Sequence, residues 1–237
     1  KGSIKNLPVY NVGERNTATK KKYTLTEIST NEDYYFNATK VEGIELTNNS
    51  ITSKTVTNKH KLADLRVIKY DKDNKDIRLG TVEFELYTKE PGHEGKVGWE
   101  SRTENNGVIT YIADSDLKNA KSYTFHTSSD GEFVIKNLRA NQFYYLKETK
   151  HNKWYKLINE AYVDDKLVEV KDGIINDLYL KAYSDSTTEN YVEQNRIEMK
   201  LDIPNELIKG QVKVIKVDKD NNEVKLEGVK FNVLDKN

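Results

Sequence analysis

The chain has 237 residues, enough for one large domain or two of ordinary size, with 36% apolar and 32% charged residues and 38 acidic side chains balancing 38 basic ones. A formal net charge of zero gives no electrostatic reason to expect nucleic acid or an anionic membrane as partner, and no apolar run reaches the roughly 18–20 residues that span a bilayer. The lack of cysteine removes disulfides, thiolate zinc sites and thiol nucleophiles together, and the four histidines (His60, His93, His126, His151) include no two at metal-ligand spacing, so no metal or other cofactor is expected.

The chain starts at Lys1 without a methionine or a signal peptide and is expected to be a processed or cut segment. "LPVYN" (7–11) has the look of a sortase sorting signal but lacks the Thr-Gly and a hydrophobic tail, so it reads as a loop. "YTLTEI" predicts a strand that places Tyr23, Leu25 and Glu27 on one face. Beyond residue 61, alternation predicts strands near 64–71, 80–88, 107–112, 121–127, 131–137, 142–149, 166–171, 176–182 and 195–203. Turns fall at "KDNKD", "PGHEG", "ENNG", "SSDG" and "KDG", all rich in residues that tolerate turn geometry. Short strands at this spacing, with no long amphipathic helix between them, predict an all-β protein built of immunoglobulin-like β-sandwich modules in tandem. The stretch 88–122 is long for a simple connection and is expected to be an insertion with some strand of its own.

An internal repeat sets the domain limits. Residues 57–86 align without a gap onto 204–233 at an offset of 147, matching Asn58 to Asn205, Lys69 to Lys216, Asp71 to Asp218, Leu79 to Leu226, Val82 to Val229 and Phe84 to Phe231. A fixed offset indicates a domain array. One complete unit is expected at about 62–208, preceded by the back part of another (1–61) and followed by the opening of a third (209–237). Two explanations stand for the partial units: a segment cropped from a longer chain, or a tail that completes the head of the next molecule.

Three polar residues of the complete unit occupy faces that are otherwise apolar. Lys69 aligns with Leu65 and Val67, Glu148 with Tyr144 and Leu146, and Asn205 with Met199, Leu201 and Ile203. Burying any of them unpaired costs several kcal/mol, so either the faces are misassigned, or Lys69 and Glu148 form a simple ion pair, or the three meet for a purpose. The last reading is favoured by Glu27, which aligns inward in the same way, and by the matching eleven-residue spacings of Asn58 to Lys69 and Asn205 to Lys216. A low-dielectric pocket favours a neutral amine and a protonated acid. Such an amine, held against the Asn205 side-chain carbonyl, can attack it and expel ammonia, leaving a Lys–Asn isopeptide bond without an external enzyme.

The pattern of "IKYDKD…LGTVEFELY", "SSDGEFVIKNLRANQFYYLKET" and "IPNELIKG" resembles the SpaA-type and Cna B-type domains of Gram-positive surface adhesins and pilins. "YYLKET" is similar to their glutamate motif, and residues 6–28 resemble part of a collagen-adhesin B repeat. The resemblance covers nearly the whole chain apart from 88–122. It implies a prealbumin-like sandwich with a spontaneous isopeptide bond, in which Lys69 is the nucleophile, Asn205 the electrophile and Glu148 the catalytic acid/base. It places Glu27 and Asn58 in the first partial unit and Lys216 in the third. The chain departs from regularity in one respect: glutamate and asparagine lie 57 residues apart in the complete unit and 31 in the first.

Other motifs read as structure. "DKDNKD" (71–76) begins like a calcium loop but has Lys75 at the third ligand position and Asp76 at the glycine position, so a solvated hairpin turn is expected. His126 with Ser128, Ser129 and Asp130 is too local for a hydrolase triad. Trp99 and Trp154 are assigned to aromatic packing, with carbohydrate or protein contact as the alternative. The expectation is therefore a non-enzymatic stalk or shaft segment of a secreted, cell-wall-anchored protein on a Gram-positive surface, whose partners are neighbouring domains of its own array. The alternative is a module that binds host matrix protein or glycan through 88–122, where "GKVGWESRTENNG" is long, polar and carries Trp99.

Overall fold

The computed structural model describes residues 2–12, 18–35, 40–92, 94–114, 118–183 and 196–234; His93 lies outside them. Its two compact units are Lys1–Leu207 and Ile208–Asn237. Every regular element among the described residues is a strand, and no helix is long and apolar enough to cross a membrane.

The described residues before 62 include two pairs of antiparallel strands. Strands β1 (Tyr10–Val12) and β2 (Ala18–Lys20) pair with each other, as do β3 (Lys22–Thr26) and β4 (Lys40–Glu45). Tyr23 and Leu25 on β3 are half-buried and alternate with exposed neighbours, as the "YTLTE" pattern dictates.

The remainder of this unit is a two-sheet sandwich. Its strands are β5 (Leu62–Asp71), β6 (Glu83–Tyr87), β7 (Lys96–Val97), β8 (Trp99–Asn105), β9 (Val108–Ala113), β10 (Phe125–His126), β11 (Glu132–Arg139), β12 (Gln142–Lys150), β13 (Ala161–Val163), β14 (Lys166–Val168), β15 (Val170–Lys171), β16 (Ile174–Leu180) and β17 (Glu198–Asn205). One sheet runs β14-β13-β17-β5-β11-β9-β8, and the other β10-β6-β12-β16-β15 with β7 added on β6. Between them lies a core supplied by alternate residues: Leu65 and Val67, Phe84 and Leu86, Phe133 and Ile135, Tyr144 and Leu146, Leu201 and Ile203 are all buried. Tyr111 packs edge-on against Phe125 with ring centroids 5.1 Å apart, fixing the β9 end of this core.

Two features of the topology bring residues distant in sequence together. The first long strand, β5, lies at the centre of the seven-stranded sheet, and the last, β17, pairs with it in parallel, Ile203 opposite Lys69 and Asn205 opposite Asp71. The strand β12 lies in the opposing sheet between β6 and β16. Gly131 tucks the turn before β11 under β5: it has φ +69°, and its carbonyl accepts the Lys69 N–H at 2.8 Å. A Cβ at that position would lie 2.4 Å from the Lys69 carbonyl oxygen, so only glycine fits.

The segment read as an insertion supplies all of β7, β8 and β9, and these strands extend both sheets of the sandwich. The strand expected at 121–127 shortens to β10, because residues 121 and 122 instead bond to Trp99 as an edge connection. The strand expected at 166–171 splits at Glu169 into β14 and β15, which belong to different sheets.

In the unit Ile208–Asn237, the turn around 216–226 repeats the hydrogen bonds of 69–79 at the same offset of 147. The Asp218, Val224 and Leu226 N–H groups donate to the carbonyls of Val224 (3.0 Å), Asn221 (3.1 Å) and Lys216 (2.9 Å). Their counterparts are Asp71 to Ile77 (2.9 Å), Ile77 to Asn74 (3.1 Å) and Leu79 to Lys69 (3.0 Å). The Asp218 carboxylate accepts from Asp220 and Asn221 as Asp71 accepts from Asp73 and Asn74. Asp71 thus commits one carboxylate oxygen, Oδ1, to its own turn, an Asx arrangement that "DKDN" encodes locally.

Candidate functional site

The sandwich brings Lys69, Glu148 and Asn205 into one buried cluster. Lys69 is 0% exposed, Asn205 1% and Glu148 3%. Two adjacent parallel strands, β5 and β17, supply the lysine and the asparagine from one sheet, and β12 supplies the glutamate from the other. Each arrives there by strand parity, on the same face as the apolar residues two and four positions before it.

The hydrogen bonds assign each group an orientation. Lys69 Nζ donates to Asn205 Oδ1, lies 3.4 Å from the Ile203 carbonyl, and stands 3.6 Å from Glu148 Oε1. The Asn205 amide nitrogen donates to the Lys156 carbonyl at 3.1 Å and to Glu148 Oε1 at 3.4 Å. Glu148 Oε2 accepts the Ile158 N–H at 2.9 Å. One carboxylate oxygen is therefore fixed by the backbone, and the other faces both the amine and the carboxamide nitrogen. Burial pulls the Lys69 ammonium down to about 7, against the opposing attraction of the Glu148 charge. Near neutral pH a substantial share of Lys69 is thus the free amine, with its lone pair available and a carboxamide carbonyl in contact.

The loop between β12 and β13 completes the cluster. Its Lys156 N–H donates to the Glu206 carbonyl at 2.9 Å, and Tyr155 forms a bridge with Leu207, which ties the loop to the end of β17. Lys156 O and Ile158 N–H are backbone groups, so nothing in the side-chain sequence announced them.

Asn58 Nδ2 donates to Glu27 Oε1 at 2.6 Å and to Thr30 Oγ1 at 2.9 Å. Lys216 is exposed within the unit Ile208–Asn237. Trp99 serves packing: its ring lies 5.3 Å from that of Tyr111 and its Nε1–H donates to the Thr124 carbonyl at 2.9 Å. Trp154 is 58% exposed, beneath the Lys153 ammonium at 4.1 Å. Ser128 donates to the Gly107 carbonyl, and Ser129 to Asp130, so the residues near His126 form a turn. Among the described residues no group of three His, Cys, Asp or Glu side chains is placed to hold a metal ion.

Residues 63–180 match the family model described as SpaA, a prealbumin-like fold domain. They are a SpaA-type domain. Lys69 and Glu148 fall within the matched part of this domain, while Asn205 lies beyond it on β17. No curated protein is significantly similar to the chain. Solved structures similar to it include the Bacillus anthracis TIE protein (12% identity, 84% of this chain and 28% of that one, TM-score 0.45). Others are the shaft pilin SpaA of Lactobacillus rhamnosus GG (14%, 87% and 72%, TM-score 0.39) and GBS52, the minor pilin of Streptococcus agalactiae (17%, 81% and 63%, TM-score 0.39). The chain thus spans little more than a quarter of the B. anthracis protein. At these identities and TM-scores the likenesses bear no weight on function, and the SpaA-type assignment rests on residues 63–180.

Proposed function

We propose that this chain is a stalk or shaft segment of a cell-wall-anchored adhesin or pilin on a Gram-positive surface, and that a spontaneous Lys69–Asn205 isopeptide bond hardens its SpaA-type domain. The observation that carries the reading is the convergence of a buried amine, a carboxamide and a carboxyl group from three strands and both sheets. In the proposed reaction the neutral Lys69 Nζ attacks Asn205 Cγ. Glu148 takes a proton from the attacking nitrogen and delivers one to Nδ2, the Cγ–Nδ2 bond breaks, and ammonia leaves. The lysine nitrogen and the Asn205 carbonyl remain joined as an amide, and Glu148 ends as it began. The event happens once per molecule and is not turnover.

In this reading residues 62–208 form the complete unit of an array, 1–61 the end of a Cna B-type unit and 209–237 the start of another SpaA-type unit. Neighbouring units are its partners. The parallel pairing of β5 with β17 supports a mechanical role. Tension enters at the start of β5 and leaves at the end of β17, so a bond from Lys69 to Asn205 carries it from one to the other. The strands between then bear little load.

A protease digest tests the proposal. The expected product is a branched peptide joining the segments around Lys69 and Asn205, one ammonia short of their sum. Quantitative recovery of both segments as linear, unmodified peptides would overturn it.

The depressed lysine also predicts a pH effect in a protein that cannot cross-link. Burial pulls the folded-state lysine down, to about 7 in the wild-type pocket, against its ordinary 10.5 when unfolded, and Asn205→Ala keeps the core that buries it. Between those values the unfolded chain binds more protons than the folded one, so stability should rise with pH through that window and its deficit should be complete below about 7. Melting curves of Asn205→Ala against Lys69→Met/Asn205→Ala isolate the lysine: the difference should shrink from pH 7 to 10. A difference that stays constant contradicts the buried free amine.

A further inference from the structure

On the outer face of the seven-stranded sheet lies a cavity of about 410 Å³, within the size range of small-ligand sites. Tyr70 and Pro204 are next in sequence to Lys69 and Asn205, so strand parity turns their side chains to this opposite face. The pairing of β5 with β17 sets Tyr70 opposite Pro204, and that of β13 with β17 sets Tyr162 opposite Asp202. Tyr70 is 4% exposed and Pro204 is buried, so these two form the floor. Two turns raise the walls. Lys75, on the turn after β5, holds its ammonium 5.5 Å from the centre of the Tyr70 ring, and Asp165 stands on the turn between β13 and β14. Lys72 and Glu160 complete the lining as an ion pair of 3.0 Å.

The chemistry of the lining narrows the ligand. Glu160, Asp165 and Asp202 repel a phosphate or another carboxylate, and Lys72 and Lys75 repel a cationic side chain. An apolar ligand would strip water from five charged groups without replacing it. Among the described residues no three acidic side chains are placed to hold a metal ion. What the cavity offers is a ring of strong donors and acceptors around flat apolar surface. The ion pairs engage one oxygen of each carboxylate, Glu160 Oε2 with Lys72 and Asp202 Oδ2 with Lys200, both at 3.0 Å. Burial, with Asp202, Tyr162 and Glu160 nearby, pushes the Tyr70 hydroxyl up, so it stays protonated and both donates and accepts. A neutral molecule with many hydroxyls and an apolar C–H face meets all of these groups.

We infer that this cavity is a binding site for a neutral saccharide. A sugar ring lays its C–H face on Tyr70, Pro204 and Tyr162, while its hydroxyls donate to Glu160, Asp165 and Asp202 and accept from Lys72 and Lys75. The site lies toward the β14 edge of its sheet, and β8 forms the other edge. It is therefore separate from the 88–122 segment that carries Trp99. It is also independent of the Lys69–Asn205 bond, which would join the same two strands on their opposite face.

An array probed with the full-length chain tests this. It carries neutral oligomers of glucose, mannose, galactose and N-acetylglucosamine, with sialylated glycans, sulfated glycans and pentalysine as charged arms. At least one neutral series should bind, with no gain from sialic acid, sulfate or lysine. Titration with the soluble oligomer of that series should shift the backbone amide signals of residues 71–77 and 162–167 and leave those of β8 in place. Asp165→Gly, whose left-handed φ of +61° suits glycine, and Lys75→Ala should each weaken binding tenfold or more without changing the melting temperature. Phe143→Ala removes an exposed ring that packs on Tyr179 in the other sheet, and it should bind as the wild type does. Binding to no neutral series, capture by the charged arms alone, or affinity that survives both Asp165→Gly and Lys75→Ala would overturn the inference. Loss of binding in Phe143→Ala would do so too, since it would place the sugar on the other sheet.

Discussion

Lys69→Ala protein should fold, keep the full mass of its sequence, and melt well below the wild type. A bond between Lys69 and Asn205 closes a loop of 136 residues, and in the chain-entropy picture used for disulfides such a closure restricts the unfolded state by about 4–5 kcal/mol. For a domain of this size that corresponds to roughly 10–20 °C in melting temperature, beyond what surface substitutions produce. Lys69→Met separates the cross-link from packing, because it restores most of the side-chain volume in the core without an amine. If both variants melt together and far below the wild type, the covalent bond is the cause. If Lys69→Met melts with the wild type, the lysine acts only by filling space.

The second large effect is on rate. Glu148→Ala should leave the sandwich folded, since Leu146 and Tyr144 on the same face still fill the core, although the Ile158 N–H loses its acceptor at a cost of about 1–3 kcal/mol. In the proposed reaction Glu148 takes the proton from Lys69 and gives one to the leaving nitrogen, so without it ammonia loss should slow by about 10²–10⁴-fold. Freshly purified Glu148→Ala should therefore show the unreduced sequence mass. Loss of ammonia at the wild-type rate would show that another group moves the proton. Nothing else among the described residues stands where Glu148 Oε1 does, facing both the amine and the carboxamide.

Parity made much of this architecture legible from the residues. Lys69, Glu148 and Asn205 each stand two residues beyond an apolar partner on a strand, and the period of two alone placed them on core faces. The offset of 147 was equally direct, because the Asp71 and Asp218 turns are local structures that the same four residues build twice. What the residues did not disclose is how strands pair at long range. Parallel pairing of β17 with β5 and of β9 with β11 depends on the path of the whole chain. Strand β8, "WESRTEN", has mostly polar residues because it is a sheet edge with much of its length exposed, so no apolar alternation marked it. The backbone clamps at Lys156 and Ile158 have no side-chain signature at all.

The measurement that bears most directly on the Lys69–Asn205 bond is the intact mass of the folded wild-type chain under denaturing conditions. The expected result is a monomer species lighter than its sequence by one ammonia, with that deficit abolished by Lys69→Ala and by Asn205→Ala. A folded wild-type chain that weighs the same as its sequence would contradict the bond.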